Sequence, residues 1–125
     1  MNYLQSFLYA MEGLSHALQT ERNTRLFTFA FLFTLLLGGF LNIQTRDWPL
    51  LIFSGAAFLA VELVNTSLER FVDAFHAHSS KQEDVHYKAL KATKDVAAAA
   101  ALLMALGWVS VCVMTFLPYL APYIH

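Results

Sequence analysis

A chain of 125 residues that is 58% hydrophobic and 14% charged has room for one domain and falls well short of the roughly 25% charged residues of a soluble domain. Its 8 Lys and Arg against 9 Asp and Glu form no basic surface for neutralising phosphates, so nucleic acid is excluded as a partner and a membrane protein is indicated. Cys112, alone and in an apolar run, excludes intrachain disulfides and cysteine-based zinc sites and reads as a small core hydrophobe.

Met1 to Thr20 alternates polar and apolar residues without a basic start followed by an apolar block, so no signal peptide is expected. Within it Leu4, Phe7, Leu8, Met11, Leu14 and Leu18 recur at spacings of three and four, which predicts an amphipathic helix over residues 3–19. Such a helix lies on a membrane surface or packs on a bundle. Leu26 to Thr45 then holds no charged residue. Twenty residues rising ~1.5 Å each cross a hydrocarbon core of ~30 Å, so residues 26–45 are the first expected span.

Pro49 suits the first turn of a new helix, and an uncharged stretch follows it to Val61. The second span, over residues 49–70, carries Glu62, Asn65 and Glu69 towards its end. The tract His76 to His86 is polar enough for a mobile loop. After Asp95 no Asp, Glu, Lys or Arg occurs, and a third span over residues 95–117 is expected to stop at Pro118. Ala97 to Ala101 reads as a close helix–helix contact. The expected fold is all-α and integral to the membrane: an N-terminal amphipathic helix and three transmembrane helices in one domain over residues 1–125.

Charge sets the expected orientation. Arg22 and Arg25 precede the first span, and Arg70, Lys81, Lys88, Lys91 and Lys94 lie between the second and third, whereas Arg46 alone falls in the other loop. The positive-inside rule then puts the N-terminus and the loop over residues 70–95 in the cytoplasm, where ATP is.

On an α-helix Asn65 and Glu69 follow Glu62 by rotations of about 300° and 700°, so the three fall within ~60° of one another. A carboxylate in hydrocarbon costs at least ~2.5 kcal/mol, so this stripe is expected to face a bundle interior or a wet cavity. The plainer alternative is that Glu69 marks the interfacial end of the span. Glu21 lies four residues before Arg25, and Lys94 and Asp95 open the third span on the same side. Glu21, Glu62, Asn65, Glu69, Lys94 and Asp95 can therefore converge at one depth as a site for an anion and its metal. Phosphoryl transfer needs these parts: oxygen ligands for a hard cation, a positive group beside the phosphates, and a base for the acceptor's proton. No P-loop or Gly-rich kinase loop is present, so such a site must be built from helices.

The same residues carry a resemblance. The patterns EGLxxAxxxERNxR at Glu12 to Arg25, VELVNTSLERxVD at Val61 to Asp73 and KATKDVAAAAxLL at Lys91 to Leu103 resemble the prokaryotic diacylglycerol kinase and undecaprenol kinase family over nearly the whole chain. The resemblance implies ATP- and Mg²⁺-dependent phosphorylation of a membrane lipid hydroxyl, in a homotrimer of the bacterial inner membrane with active sites shared between subunits. It implies Glu62 as general base, Glu21 and Glu69 as ligands of the nucleotide's Mg²⁺, Asn65 as a catalytic residue supporting that cluster, and Tyr9, Lys94 and Asp95 as further ATP contacts. Asn23, Arg25 and Ala98, with Glu62, would meet the lipid. The ERN form of the first motif is similar to that of the undecaprenol kinases.

Two features depart from the family pattern: the stretch from Glu69 to Lys94 is several residues longer, and Asn2 stands where many relatives have a basic residue. Nucleotide contacts within His76 to His86 are accordingly not assigned, and His76, His78 and His86 read as solvated loop residues rather than metal ligands. Two other classes compete with the kinase: an ion or proton conductor, since intramembrane carboxylates also form relays, and a structural subunit assembled through its alanine faces. Lys94, Asp95 and Asn65 favour the kinase.

Overall fold

A computed structural model describes residues 2–78 and 84–124. Four α-helices, α1 (Tyr3–Thr20), α2 (Arg22–Phe40), α3 (Trp48–His78) and α4 (Asp84–Leu120), are followed by a short 3₁₀ turn over Ala121–Tyr123. Of these, α2, α3 and α4 are long and apolar enough to cross a membrane. α3 packs chiefly on α4 and secondarily on α2, which makes it the central element.

Helix α1 forms where the apolar spacing predicts it, started by a capping box in which Gln5 Oε1 accepts from the Asn2 backbone N–H at 3.1 Å. It buries only Ala17, and the stripe of Leu4, Phe7, Leu8, Met11 and Leu14 is uncovered within one chain. Arg25 Nη1 donates to the carbonyls of Leu18 and Gln19 at 3.1 and 2.9 Å, satisfying acceptors that the end of α1 leaves open.

The first span differs from expectation at both ends, beginning at Arg22 and ending at Phe40 rather than running from 26 to 45. Asn42 takes φ 51°, and the N–H groups of Asn42 and Ile43 donate back to the carbonyls of Gly39 and Gly38 at 3.2 and 3.1 Å. This pattern ends a helix with a left-handed residue, a role Asn fills when Gly is absent. Ile43, only 6% exposed, then docks on Leu51 and Phe116 and closes that end of the bundle. Tyr119 Oη clamps the same loop, accepting from the Gln44 N–H at 2.9 Å and donating to Asp47 Oδ2 at 3.0 Å.

Helix α3 opens at Trp48 with Pro49 in its first turn, as Pro49 predicted. Thirty-one residues make it about 46 Å long, well beyond a ~30 Å hydrocarbon core. Both α3 and α4 extend past the expected limits of their spans, to His78 and from Asp84, so helix takes up much of the tract expected to be a mobile loop. Ser79 to Glu83 lie outside the described residues. α4 also continues through Pro118 to Leu120 instead of stopping there. A proline so near a helix end forfeits one backbone bond with only a turn left to disturb.

At mid-bundle the three long helices meet around aromatic rings. Phe27 of α2 meets Phe58 of α3 edge-on at 4.9 Å, Phe58 stacks on Trp108 of α4 at 5.4 Å, and Phe31 meets Trp108 edge-on at 6.2 Å. Gly55 makes this closeness possible, because a Cβ there would overlap the Phe31 ring and stand 3.1 Å from Trp108 Nε1. Gly55→Ala is therefore expected to destabilise the bundle. Overpacking costs ~1 to 3 kcal/mol and outweighs the ~1 kcal/mol that alanine adds in helix propensity. The check is the thermal midpoint in detergent beside Gly13→Ala, where no atom approaches within 4 Å and no loss is expected; equal midpoints would refute the packing role.

Candidate functional site

The end of the bundle that carries the basic residues is built from three strips of chain: the α1–α2 junction, the second half of α3 and the start of α4. Glu62, Asn65 and Glu69 line one side of α3, as their spacing predicts, and Glu62 and Asn65 are each 7% exposed. Asn65 Nδ2 donates to Glu69 Oε1 at 3.4 Å, while Asn65 Oδ1 is buried with no partner among the described residues. Glu62 and Glu69 lie near enough for their charges to repel. An unpartnered buried acceptor beside two carboxylates has the character of a binding site rather than a finished core.

Helix α4 brings cations to this stripe. Lys94 Nζ donates to Asp73 Oδ1 at 2.7 Å and is also attracted by Glu69. Lys91 Nζ donates to Asp95 Oδ2 at 2.7 Å, an i,i+4 pair along α4. Val72, Asp73, His76, Tyr87, Lys91, Lys94 and Asp95 enclose a polar pocket of about 310 Å³. His76 and Tyr87 meet across it with ring centroids 4.9 Å apart. Of the histidines weighed from sequence, the side chains of His78 and His86 lie outside the described residues.

One turn further along the same seam is an apolar groove of about 480 Å³, formed by Val61, Val64, Asn65 and Leu68 of α3 with Ala92, Thr93, Val96, Ala97 and Ala100 of α4. Of the run expected to make a close helix contact, Ala97 and Ala100 line this groove, Ala98 and Ala99 are exposed and Ala101 is buried. Asn65 is its polar member, so the groove and the acidic stripe share a residue.

Glu21 joins the site by a route its spacing does not predict. It stands between α1 and α2 in extended conformation, and its partner is Arg70 of α3 rather than Arg25. Arg70 Nε and Nη2 both donate to Glu21 Oε1, at 2.9 and 2.6 Å, and Nη2 reaches the Thr20 hydroxyl. Glu62, Asn65, Glu69 and Lys94 thus form one cluster, Asp95 lines the pocket, and Glu21 is tied to α3 separately, through Arg70, the residue after Glu69. Tyr9, Asn23 and Ala98 are exposed on α1, α2 and α4 and do not join this network. Sequence reasoning missed Arg70, Asp73, His76, Tyr87 and Lys91. Asp73 and His76 continue the helical stripe of Glu62, Asn65 and Glu69 by steps of four and three, which was the available signal for them.

Comparison with known proteins identifies the family. The chain matches the prokaryotic diacylglycerol kinase family over residues 8–116. It is 34% identical over 117 residues to a diacylglycerol kinase of Synechocystis, an alignment that takes in 94% of this chain and 63% of that protein. It is 28% identical over 118 residues to the undecaprenol kinase of Bacillus subtilis, covering 94% of this chain and 90% of that one. The chain therefore spans less than two thirds of the length of the Synechocystis relative and nearly all of the Bacillus one. No solved structure matches it. Three apolar helices, an acidic stripe inside them and a match that runs over most of the sequence place this chain in the prokaryotic diacylglycerol kinase family.

Proposed function

We propose that the protein is a lipid kinase that transfers the γ-phosphoryl group of ATP to the hydroxyl of a membrane lipid, diacylglycerol or undecaprenol, giving phosphatidic acid or undecaprenyl phosphate. The observation that carries this reading is the set of environments on one helix seam: an apolar groove, the Glu62–Asn65–Glu69 stripe running beside it on the same turns of α3, and beyond both a pocket bearing Lys91 and Lys94. A lipid tail suits the groove, an anion with its counter-ions the pocket, and a proton acceptor lies alongside the groove. In the bacterial inner membrane, with this end in the cytoplasm, both substrates reach the seam from their own compartments. A homotrimer would cover the apolar faces that one chain leaves exposed and complete the site with Tyr9, Asn23, Arg25 and Ala98.

Glu62 is the base. Its carboxylate takes the proton of the attacking lipid hydroxyl, and Asn65 holds the stripe in register through its bond to Glu69. Lys94 faces the phosphates, with Asp73 fixing its ammonium until they arrive, and Asp95 orients Lys91. Glu21 and Glu69 would hold Mg²⁺. Hard carboxylate oxygens fit that ion, which needs only one or two of them when it is bound with nucleotide phosphates and water. The chemistry such an ion would supply there is positive charge beside the transferring phosphoryl group.

The test is purified protein in mixed micelles with radiolabelled ATP and a panel of diacylglycerol, undecaprenol and ceramide. Label in one lipid identifies reaction and substrate together. No labelled lipid from folded, nucleotide-bound protein would remove the kinase reading, and ion flux without nucleotide would replace it by a conductor.

A further inference from the structure

Arg70 joins separate parts of the chain at one point. Its donors reach Glu21 and Thr20 at the α1–α2 junction, 49 and 50 positions earlier in sequence. Glu21 is the N-cap residue of α2, yet its side chain makes no capping bond. Neither flanking helix directs that carboxylate. Arg70 does, and it draws Glu21 towards the turn of α3 that begins with Glu69. Both ionic bonds land on Oε1 and none on Oε2. A carboxylate with one oxygen held by a forked donor has its other oxygen turned to a fixed direction, the usual way an outer residue orients a ligand.

We infer that Arg70 is a positioning residue for Glu21, fixing Oε1 so that Oε2 is left to the divalent cation that accompanies the nucleotide. This rests on the reading of Glu21 and Glu69 as ligands of that cation. A different role for Arg70 predicts the opposite sign. A guanidinium that only competed for Glu21 would repel a divalent cation, and removing it would tighten binding. Nor is the pair needed for folding: its two side chains are 38% and 34% exposed, and ion pairs that open to water add little stability.

The experiment compares the full-length protein with Arg70→Ala and Arg70→Lys, using Mn²⁺ as the probe with a non-hydrolysable ATP analogue and measuring bound ion by electron paramagnetic resonance. Arg70→Ala is expected to weaken Mn²⁺ binding by about 10- to 100-fold, the range for loss of an outer partner of a ligand. Arg70→Lys keeps the charge and one donor and should recover part of the affinity, as should millimolar guanidinium added to Arg70→Ala. The Mg²⁺ needed for half-maximal rate should rise by the same factor, while the rate at saturating Mg²⁺ falls by less. Should Arg70→Ala fail to fold, Arg70→Gln takes its place with the same expected sign. Unchanged or tighter Mn²⁺ binding in the folded variant overturns the proposal. Glu21→Gln separates the two levels: if it weakens Mn²⁺ binding and loss of Arg70 does not, only the role of Arg70 fails, whereas no change in either removes the ligand reading itself.

Discussion

Replacing Glu62 with Gln is expected to leave a folded protein that binds ATP and turns over about 10²- to 10⁴-fold more slowly, the usual cost of a missing general base. Gln keeps the volume of the side chain, and among the described residues Glu62 makes no ion pair whose loss would strand a partner. The position supports the role. Glu62 lies seven residues from Glu69 along α3, about 10 Å, which places it deeper than the cation pocket and closer to a hydroxyl that stays at the membrane interface. A carboxylate held only for structure would behave differently, lowering the yield of folded protein more than the turnover of what folds. The measurement is turnover per folded protein together with nucleotide affinity. Near-normal turnover with weakened ATP binding would move Glu62 from the base role to the nucleotide.

Glu21→Gln and Glu69→Gln should each raise the Mg²⁺ needed for half-maximal rate by at least about 100-fold, the upper end of what outer-shell partners alone cost. Each change removes one negative charge and one strong oxygen ligand while nearly preserving shape. Their side effects should differ. Glu69→Gln can still accept from Asn65, whereas Glu21→Gln turns the charged bonds to Arg70 into neutral ones and loosens the junction of α1 with α3. Titrating Mg²⁺ at fixed ATP checks both variants, and lipid affinity should hardly move. An unaltered Mg²⁺ dependence in the pair of variants would sink the assignment.

Much of this protein can be read from its sequence, because the readable features are local. A bilayer demands some twenty apolar residues in a row, so the uncharged runs before Thr45, Val61 and Leu117 announced three spans, and α2, α3 and α4 follow them. Helical periodicity alone put Glu62, Asn65 and Glu69 on one side, and Pro49 marked where α3 begins. Hydropathy could not say where the helices end. The helix needs no hydrocarbon, so α3 and α4 run on together past the membrane span and form the polar pocket between their ends. At the opposite end one left-handed residue, Asn42, stops α2 inside an apolar run.

The partners of Glu21 and Lys94 were decided by tertiary structure. Spacing offers Arg25 to Glu21, but Arg25 is spent on the carbonyls that end α1, and Glu21 turns to Arg70 across the bundle. Spacing likewise sets Lys94 beside Asp95, yet Lys94 reaches 21 residues back to Asp73, while Asp95 pairs with Lys91. A charged side chain takes whichever opposite group the helix crossings bring within about 3 Å, and crossings depend on residues such as Gly55 and Trp108 that carry no charge. The sequence by itself determined that the polar residues share one side of a membrane helix; the packing of α2, α3 and α4 determined which of them meet.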